Sequence, residues 1–112
     1  MPRESKLSLN ILREFFLGFI KIHILYHAGE EKQGFSGVDL ARELKRHGYS
    51  ISPGTLYPVL HRLQKGGYLI AEKSIIDGRM KIYYRLTRRG EIALEKIKPK
   101  IKELVDEVLA ES

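Results

Sequence analysis

The stretch from Ser52 to Gly67 limits the fold more than any other part of the chain, because both of its ends carry helix-boundary signals. Ser52 suits a helix N-cap, where its side chain is expected to accept a hydrogen bond from a free N–H of the first turn, and Pro53 suits the first helical position. The Gly66-Gly67 pair suits a left-handed exit. The pattern therefore predicts a short helix with one apolar face. The residues predicted for that face are Leu56, Val59, Leu60 and Leu63.

The opposite face of this helix is polar and is predicted to be exposed. It carries Thr55, Tyr57, His61, Arg62 and Lys65. Such a face can donate to phosphates and read base edges in a major groove, where Arg suits guanine and Thr suits a thymine methyl. The alternative is an ordinary amphipathic helix with a solvated polar side.

The charge of the chain is concentrated around this helix. The 112 residues carry a net charge of +6, with a pI near 9.6. Residues 36–89 hold 11 Lys/Arg against 4 Asp/Glu, which is 11 − 4 = +7, and the remainder holds 9 against 10, which is 9 − 10 = −1. A basic segment of this kind favours a polyanionic partner, although basicity alone does not establish one.

Another short helix is predicted just before the helix that begins at Pro53. Ser36 and Asp39 form a weak capping box, and His47-Gly48 is a typical glycine exit. Two short helices joined by a tight turn, the second with a polar face, are typical of a helix-turn-helix. The residues expected on the inner side of the earlier helix are Val38, Ala41 and Leu44, with Leu40 beside them.

A β-hairpin is predicted after the helix-turn-helix. Asp77-Gly78 lies between two β-compatible runs, 68–75 and 80–86. With these two residues as the turn, Leu69 falls opposite Leu86. A hairpin in this position is a wing, and Arg79 and Lys81 near its tip could enter a minor groove. The alternative is a surface turn whose cations are merely solvated.

Two further helices are predicted to associate with a second copy of the chain. One is the N-terminal helix, from about Ser8 to His27, whose apolar surface is wider than the single stripe that one side of a helix needs for packing. The last is capped by Thr87 and carries an a/d seam, and Pro99 within it predicts a kink or break near Lys98. The predicted dimer-interface residues are Phe15, Phe16, Phe19, Leu94, Ile97, Ile101, Leu104 and Val108.

Sites for small ligands are weakly indicated. His23 and His27 stand four apart, a spacing at which two imidazoles could share a metal, but no third ligand is apparent nearby. We therefore predict no metal and no cofactor, and ordinary packed or solvated histidines. The aromatic residues of the first helix could line a cavity for an aromatic or apolar effector, although core and interface packing is the favoured interpretation.

Several classes of protein are disfavoured by the sequence. There is no Cys nucleophile and no Gly-rich phosphate loop, and the four histidines are dispersed at positions 23, 27, 47 and 61, so an enzyme is not expected. A chain without cysteines fits a reducing compartment. No secretory signal is visible, and the apolar run from Phe15 to Tyr26 is too short and polar for a membrane span. We expect a cytoplasmic protein.

Three motifs resemble the PadR family of winged-helix transcriptional regulators. They are Ser-Pro-Gly-Thr-Leu-Tyr-Pro-Val-Leu-His-Arg-Leu at 52–63, Lys-Gly-Gly-Tyr-Leu at 65–69 and Tyr-Tyr-Arg-Leu-Thr-Arg-Arg-Gly at 83–90. The run Ser-Gly-Val-Asp-Leu at 36–40 departs from the His-Gly-Tyr-Glu-like run of that family. The resemblance implies a homodimer that binds a pseudo-palindromic operator in double-stranded DNA, usually as a repressor, and often releases it when a small molecule arrives.

The resemblance also implies which residues contact DNA. On the helix they are Ser52, Gly54, Thr55, Tyr57, His61 and Arg62, to which the polar face adds Lys65; on the wing they are Arg79 and Lys81.

The predicted fold class is thus mainly α (α+β), a winged helix-turn-helix with a two-stranded wing and a C-terminal dimerisation helix. Residues 1–86 are predicted to form the DNA-binding domain and residues 87–112 the dimerisation helix. The alternative function is a winged-helix module that binds a protein and never touches DNA.

Overall fold

The computed structural model describes the backbone of residues 2–110 and the side chains of residues 10–110. Residues 2–110 form four helices and a small antiparallel sheet, which confirms the predicted fold class. In chain order the elements are α1 (Pro2–Glu30), β1 (Phe35–Ser36), α2 (Gly37–Arg46), α3 (Pro53–Lys65), β2 (Leu69–Ile76), β3 (Arg79–Leu86) and α4 (Arg88–Val108).

The helix boundaries with predicted caps follow those local signals, with one exception, and α1 extends beyond the predicted range 8–27 at both ends. The Ser36–Asp39 capping box is formed, since the Ser36 hydroxyl accepts from the Asp39 N–H at 3.1 Å and the Ser36 N–H donates to the Asp39 carboxylate at 3.3 Å. The turn after α2 has Gly48 at φ +90°, as a left-handed exit requires. The cap expected from Ser52 is absent: its hydroxyl instead donates to Oγ1 of Thr55 at 3.3 Å.

The hairpin has the predicted register. Leu69 pairs with Leu86, and Asp77 and Gly78 form the turn with φ of +52° and +75°, the two positive values of a type I′ turn. The structure adds a third strand that the sequence did not indicate. Phe35 in β1 pairs with Tyr84, which places β3 at the centre of the order β1-β3-β2.

The core lies where α1, α2 and α3 meet the base of the hairpin. Its fully buried side chains include Ile24 of α1, Leu40 and Leu44 of α2, and Leu69 of β2. All four residues predicted for the inner face of α3 are buried: Leu56, Val59, Leu60 and Leu63. The prediction for Val38 is wrong, because its side chain is 61% exposed. The buried face of α2 carries Leu40 and Leu44.

The last helix begins as predicted and continues further than expected. Thr87 caps α4 by accepting from the Gly90 N–H at 3.0 Å, and its hydroxyl donates to the Gly67 carbonyl at 2.6 Å. The helix runs unbroken through Pro99, so of the predicted kink or break near Lys98 the break is wrong and the kink stays a prediction. Leu94 belongs to the same core as the winged-helix residues, and the beginning of α4 is therefore fixed to that unit. The division at residues 86 and 87 stays a prediction, and its outermost residues 1, 111 and 112 lie outside the described part.

In the part of the chain that the structure describes, no helix combines the length and apolar character needed to cross a membrane.

Candidate nucleic-acid interface

The polar face of α3 is open to solvent while the opposite face is buried. Tyr57 is 43% exposed, and His61, Arg62 and Lys65 are exposed as well. Because Val59, Leu60 and Leu63 fix the other side of the helix in the core, this face is held rigidly outward. A helix presented in this way can enter a major groove.

The cations predicted to contact DNA are free of competing carboxylates. Arg62, Lys65, Arg79 and Lys81 form no ion pair with any side chain of residues 10–110. Other cations of the basic segment are paired. They are Arg42 with Asp39 at 3.7 Å, Arg46 with Glu43 at 3.2 Å, Arg85 with Glu72 at 3.1 Å and Arg88 with Glu91 at 2.9 Å. Lys45, Lys73 and Arg89 of the same segment also lack an ion pair among residues 10–110, so unpaired positive charge lies on α3 and near the wing tip and continues onto α2, β2 and the start of α4.

Tyr57 connects the recognition helix to the wing. Its ring lines a recess of about 220 Å³ together with Val38 and the β3 residues Met80 and Lys81. Gly37 permits this position, because a Cβ at residue 37 would lie 2.6 Å from the Tyr57 hydroxyl oxygen. The structure thus brings two predicted DNA contacts, Tyr57 and Lys81, to one surface. Gly37 is a supporting residue that sequence reasoning missed.

Ser52 and Thr55 are placed differently from the rest of the predicted set. Both line a second recess, of about 460 Å³, between the start of α3 and α1 residues such as Leu12 and Phe16. Thr55 is half-buried there and hydrogen-bonds to Ser52. Gly54 is exposed at the beginning of α3. The start of the helix therefore presents small side chains, and the N–H groups of Thr55 and Leu56 already donate to the Ser52 carbonyl oxygen at 3.0 Å.

Five of the eight predicted dimer-interface residues line a groove between α1 and α4, whereas Phe16 lines the recess beside Ser52 and Thr55. The groove has a volume of about 600 Å³, and Phe15, Phe19, Leu94, Ile101 and Leu104 lie along it. Several of these side chains are largely exposed within the single chain, with Phe15 at 56% and Leu104 at 55%. Further along α4, Val108 is 66% exposed and Ile97 is half-buried.

Part of the aromatic surface of α1 is already used within the chain. The ring of Tyr49, in the turn between α2 and α3, meets Phe16 edge-on at 4.9 Å and Phe19 at 5.7 Å between ring centroids. Phe15 stacks on Phe19 at 5.5 Å. Tyr49 therefore couples the helix-turn-helix to α1, and Phe16 is only partly available to a second subunit.

The structure places three histidines together beside this contact. His23 and His27 follow each other by one turn on α1, and His47, the C-cap residue of α2, completes a group whose ligand nitrogens all lie within 4.8 Å of one another. The expectation that the pair has no third ligand nearby is therefore wrong. His47 is 20 residues away from His27 in the sequence, and only the packing of α2 against α1 brings it there.

The surroundings of His23 and His27 favour the neutral form of each imidazole. Burial lowers the pKa of His23, and the neighbouring His47 and His27 lower it further. Burial also lowers the pKa of His27, against a smaller opposite effect of the Glu43 carboxylate. In the sheet, burial raises the pKa of Tyr84, and Tyr57 adds to that shift. The residues with shifted pKa values, His23, His27 and Tyr84, were not among the predicted DNA contacts.

A helix-turn-helix followed by a β-hairpin, with an exposed polar face on its second helix, defines the winged-helix class of DNA-binding proteins. Comparison of the sequence and the structure with known proteins identifies one family within this class. Residues 24–96 match the model of the transcriptional regulator PadR-like family. The chain belongs to that family, which confirms the resemblance recognised in its sequence motifs and its assignment as a transcriptional regulator that is not an enzyme.

Individual relatives agree with this assignment over most of the chain. It is 45% identical over 98 residues to the transcriptional regulator Rv3488 of Mycobacterium tuberculosis, which covers 88% of this chain and 90% of that protein. A PadR-like transcription factor from Bacteroides fragilis is similar in structure, with a TM-score of 0.76 and 29% identity over 88% of this chain and 95% of that one. A PadR family regulator from Eggerthella lenta reaches a TM-score of 0.77 with 25% identity over 96% of this chain and 94% of that one.

Proposed function

We propose that the chain is a homodimeric repressor that binds a pseudo-palindromic operator. The observation that carries this proposal is the exposed face of α3, where Tyr57, His61 and Arg62 project outward next to unpaired cations. In the proposed complex the two α3 helices lie in successive major grooves about one helical turn apart. The two wings lie over the adjacent minor grooves, where Arg79 and Lys81 contact the phosphates that border each groove.

The individual roles follow from the chemistry of each side chain. Arg62 is proposed to donate two hydrogen bonds to a guanine edge, and Tyr57 and His61 to donate to phosphates or bases beside it. Lys65, Arg79 and Lys81 supply charge for phosphate contacts. Ser52, Gly54 and Thr55 position the start of α3 against the backbone of the duplex.

The proposed dimer contact is formed by α1 and α4. Both helices expose apolar side chains on either side of the groove, among them Phe15, Ile101 and Leu104. A soluble monomer rarely leaves so much contiguous apolar surface in water, and a second copy supplies helices of matching character. The same pairing sets the distance between the two recognition helices. An operator with two half-sites is therefore the natural target.

Repression is supported by what the family resemblance implies, and the groove supports relief by an effector. Its walls are almost wholly apolar, with Phe19, Ile22 and Tyr26 on the α1 side. An aromatic or apolar small molecule bound there between subunits would change their relative orientation and so the spacing of the two α3 helices. Such a protein acts on chromosomal DNA, and we place it in the cytoplasm.

Selection of bound duplexes from a random library tests DNA binding and half-site spacing together. The expected product is an inverted repeat, and light scattering should give the mass of two chains in the free protein. A protein-docking module, the alternative function, would enrich no sequence and show little dependence of binding on salt. A panel of aromatic compounds tests the effector. A shift in the melting temperature of the protein supports the proposal, whereas an unchanged melting temperature with every compound contradicts effector binding in this groove.

A further inference from the structure

We propose that His23, His27 and His47 form a binding site for a divalent transition metal ion of the kind that prefers imidazole ligands, with Zn²⁺ as the principal candidate. This inference goes beyond the proposed function, because metal binding by these residues requires neither an operator nor a second subunit.

The first support is the convergence of three ligands of the same type from two helices. The ring centroid of His47 lies 5.1 Å from that of His23 and 5.5 Å from that of His27. The ring centroids of His23 and His27 are 6.0 Å apart. In a tetrahedral site with bonds of about 2.0–2.1 Å, neighbouring nitrogens stand about 3.3 Å apart. The ligand atoms lie within 4.8 Å of one another, so binding an ion requires the nitrogens to approach one another by up to about 1.5 Å.

The second support is an unpaired buried nitrogen. Nε2 of His27 is shielded from solvent and has no hydrogen-bond partner among the described residues. A buried polar atom of this kind normally has a partner, because leaving it unpaired costs free energy. A metal ion at the centre of the three rings would supply that partner.

The third support is a carboxylate beside the three rings. Glu43 lies next to the group, with its carboxylate 3.7 Å from Nε2 of His47, and Arg46 holds that carboxylate at 3.2 Å. A carboxylate beside a ligating histidine orients the ring and offsets the charge of the ion.

The donor set selects the class of metal. Three imidazoles suit Zn²⁺, Co²⁺, Ni²⁺ or Cu²⁺, whereas Mg²⁺ and Ca²⁺ prefer oxygen ligands. Three protein ligands leave a fourth position for water or a carboxylate. The ion would join α1, which carries the groove, to the end of α2 in the helix-turn-helix. Since His23 also lines the groove, the metal site and the proposed subunit contact are adjacent.

The experiment is titration of the tag-free, chelator-treated full chain with Zn²⁺ and separately with Co²⁺, monitored by calorimetry and visible absorption. One ion per chain is expected, with Co²⁺ bands typical of nitrogen ligation and a higher melting temperature in the presence of Zn²⁺. Mg²⁺ should have no effect. Failure of the wild-type chain to bind Zn²⁺ or Co²⁺ at micromolar concentrations would overturn the proposal.

Variants of the cluster and of the fourth histidine locate the site. His27→Gln and His47→Gln should each weaken Zn²⁺ binding by about 100-fold or more, since each removes one of three ligands. His61→Gln is the matched control, because it removes an exposed imidazole on α3 and should leave Zn²⁺ affinity unchanged. His47 is exposed, so its variant tests the site even if the replacement of the partly buried His27 disturbs folding. Equal Zn²⁺ affinity in wild type and the His47 variant would disprove the assignment, whatever the outcome of DNA-binding assays.

Discussion

The α-carbon of Gly37 lies against the phenol ring of Tyr57, so closely that a Cβ at position 37 would stand 2.6 Å from the hydroxyl oxygen and 2.7 Å from Cε1. The start of α2 therefore determines where Tyr57 of α3 points. Tyr57 in turn lines the recess that leads to Met80 and Lys81 of the wing. One glycine thus supports the arrangement of recognition helix and wing.

Gly37→Ala is expected to weaken operator binding by about 1–2 kcal/mol, roughly tenfold, because Tyr57 must leave its position. Fluorescence anisotropy with a labelled operator at fixed salt measures the loss. A double-mutant cycle is the control: Tyr57→Ala alone should have a similar effect, and Gly37→Ala should add little to it. Fully additive losses would show that the two residues act independently.

Arg62→Ala should weaken specific binding by about 1–3 kcal/mol and relax the base preference at one position of each half-site. Arg62 is exposed and forms no ion pair within residues 10–110, so the loss cannot arise from a broken salt bridge there. Lys96→Ala is the matched control, since it removes one positive charge from an exposed site on α4 that also forms no ion pair within residues 10–110. Identical binding curves for wild type and the Arg62 variant would remove this residue from the mechanism.

The wing prediction concerns salt dependence. Replacing Arg79 and Lys81 together by alanine should reduce the slope of log K against log salt by about 2 per subunit, because each phosphate contact contributes about 0.9. Base preference should stay the same, since phosphate contacts carry little sequence information. The measurement is a salt titration of operator binding. An unchanged slope would place the wing away from the DNA backbone.

The dimer prediction uses a residue that is exposed in the single chain. Leu104→Glu places a charge on a side chain that is 55% exposed beside the α1–α4 groove, so the subunit should fold while dimerisation is lost. Light scattering should report a mass near 12.9 kDa instead of twice that value. Lys102→Glu, at a residue 78% exposed on the same helix, is the control and should remain dimeric. A Leu104 variant that stays dimeric would exclude this face as the subunit contact.

Two glycines are expected to respond differently to the same change. A Cβ at Gly90 would collide with the Tyr68 carbonyl oxygen and with Cδ1 of Leu86, so Gly90→Ala should destabilise the fold by about 1–3 kcal/mol. A Cβ at Gly54 would meet only Oγ of Ser52, at 3.8 Å, and alanine is the better helix residue, so Gly54→Ala should unfold no earlier than wild type. Thermal unfolding measures both. Equal melting temperatures for the two variants would contradict the close contact at Gly90.

Signals that act within a few residues could be interpreted from the sequence. The Ser36 capping box, the Gly48 exit and the Thr87 cap are hydrogen bonds between neighbours in the chain, and each is formed as predicted. The hairpin register follows from the Asp77-Gly78 turn, because a two-residue turn determines which residues face each other. The polar face of α3 was recognisable because helical spacing separates it from the buried face.

Contacts between distant segments could not be predicted in this way. β1 consists of two residues, Phe35–Ser36, and exists because β3 offers it a free edge. Val38 is exposed although helical spacing allowed it on the inner face, because the packing of α2 buries Leu40 and Leu44 instead. His47 carries an ordinary helix-end signal in the sequence, and nothing in its spacing relates it to His23 and His27.

The sequence by itself thus determined the helices, the hairpin and the family, because their signals depend on spacing and on hydrogen bonds between close neighbours. Only the tertiary structure decided that Gly37 supports Tyr57 and that three histidines from α1 and α2 converge. The physical reason is that those contacts form between helices whose relative positions are set by burial of the shared core. No local pattern encodes a distance between side chains that come together only when the core is packed.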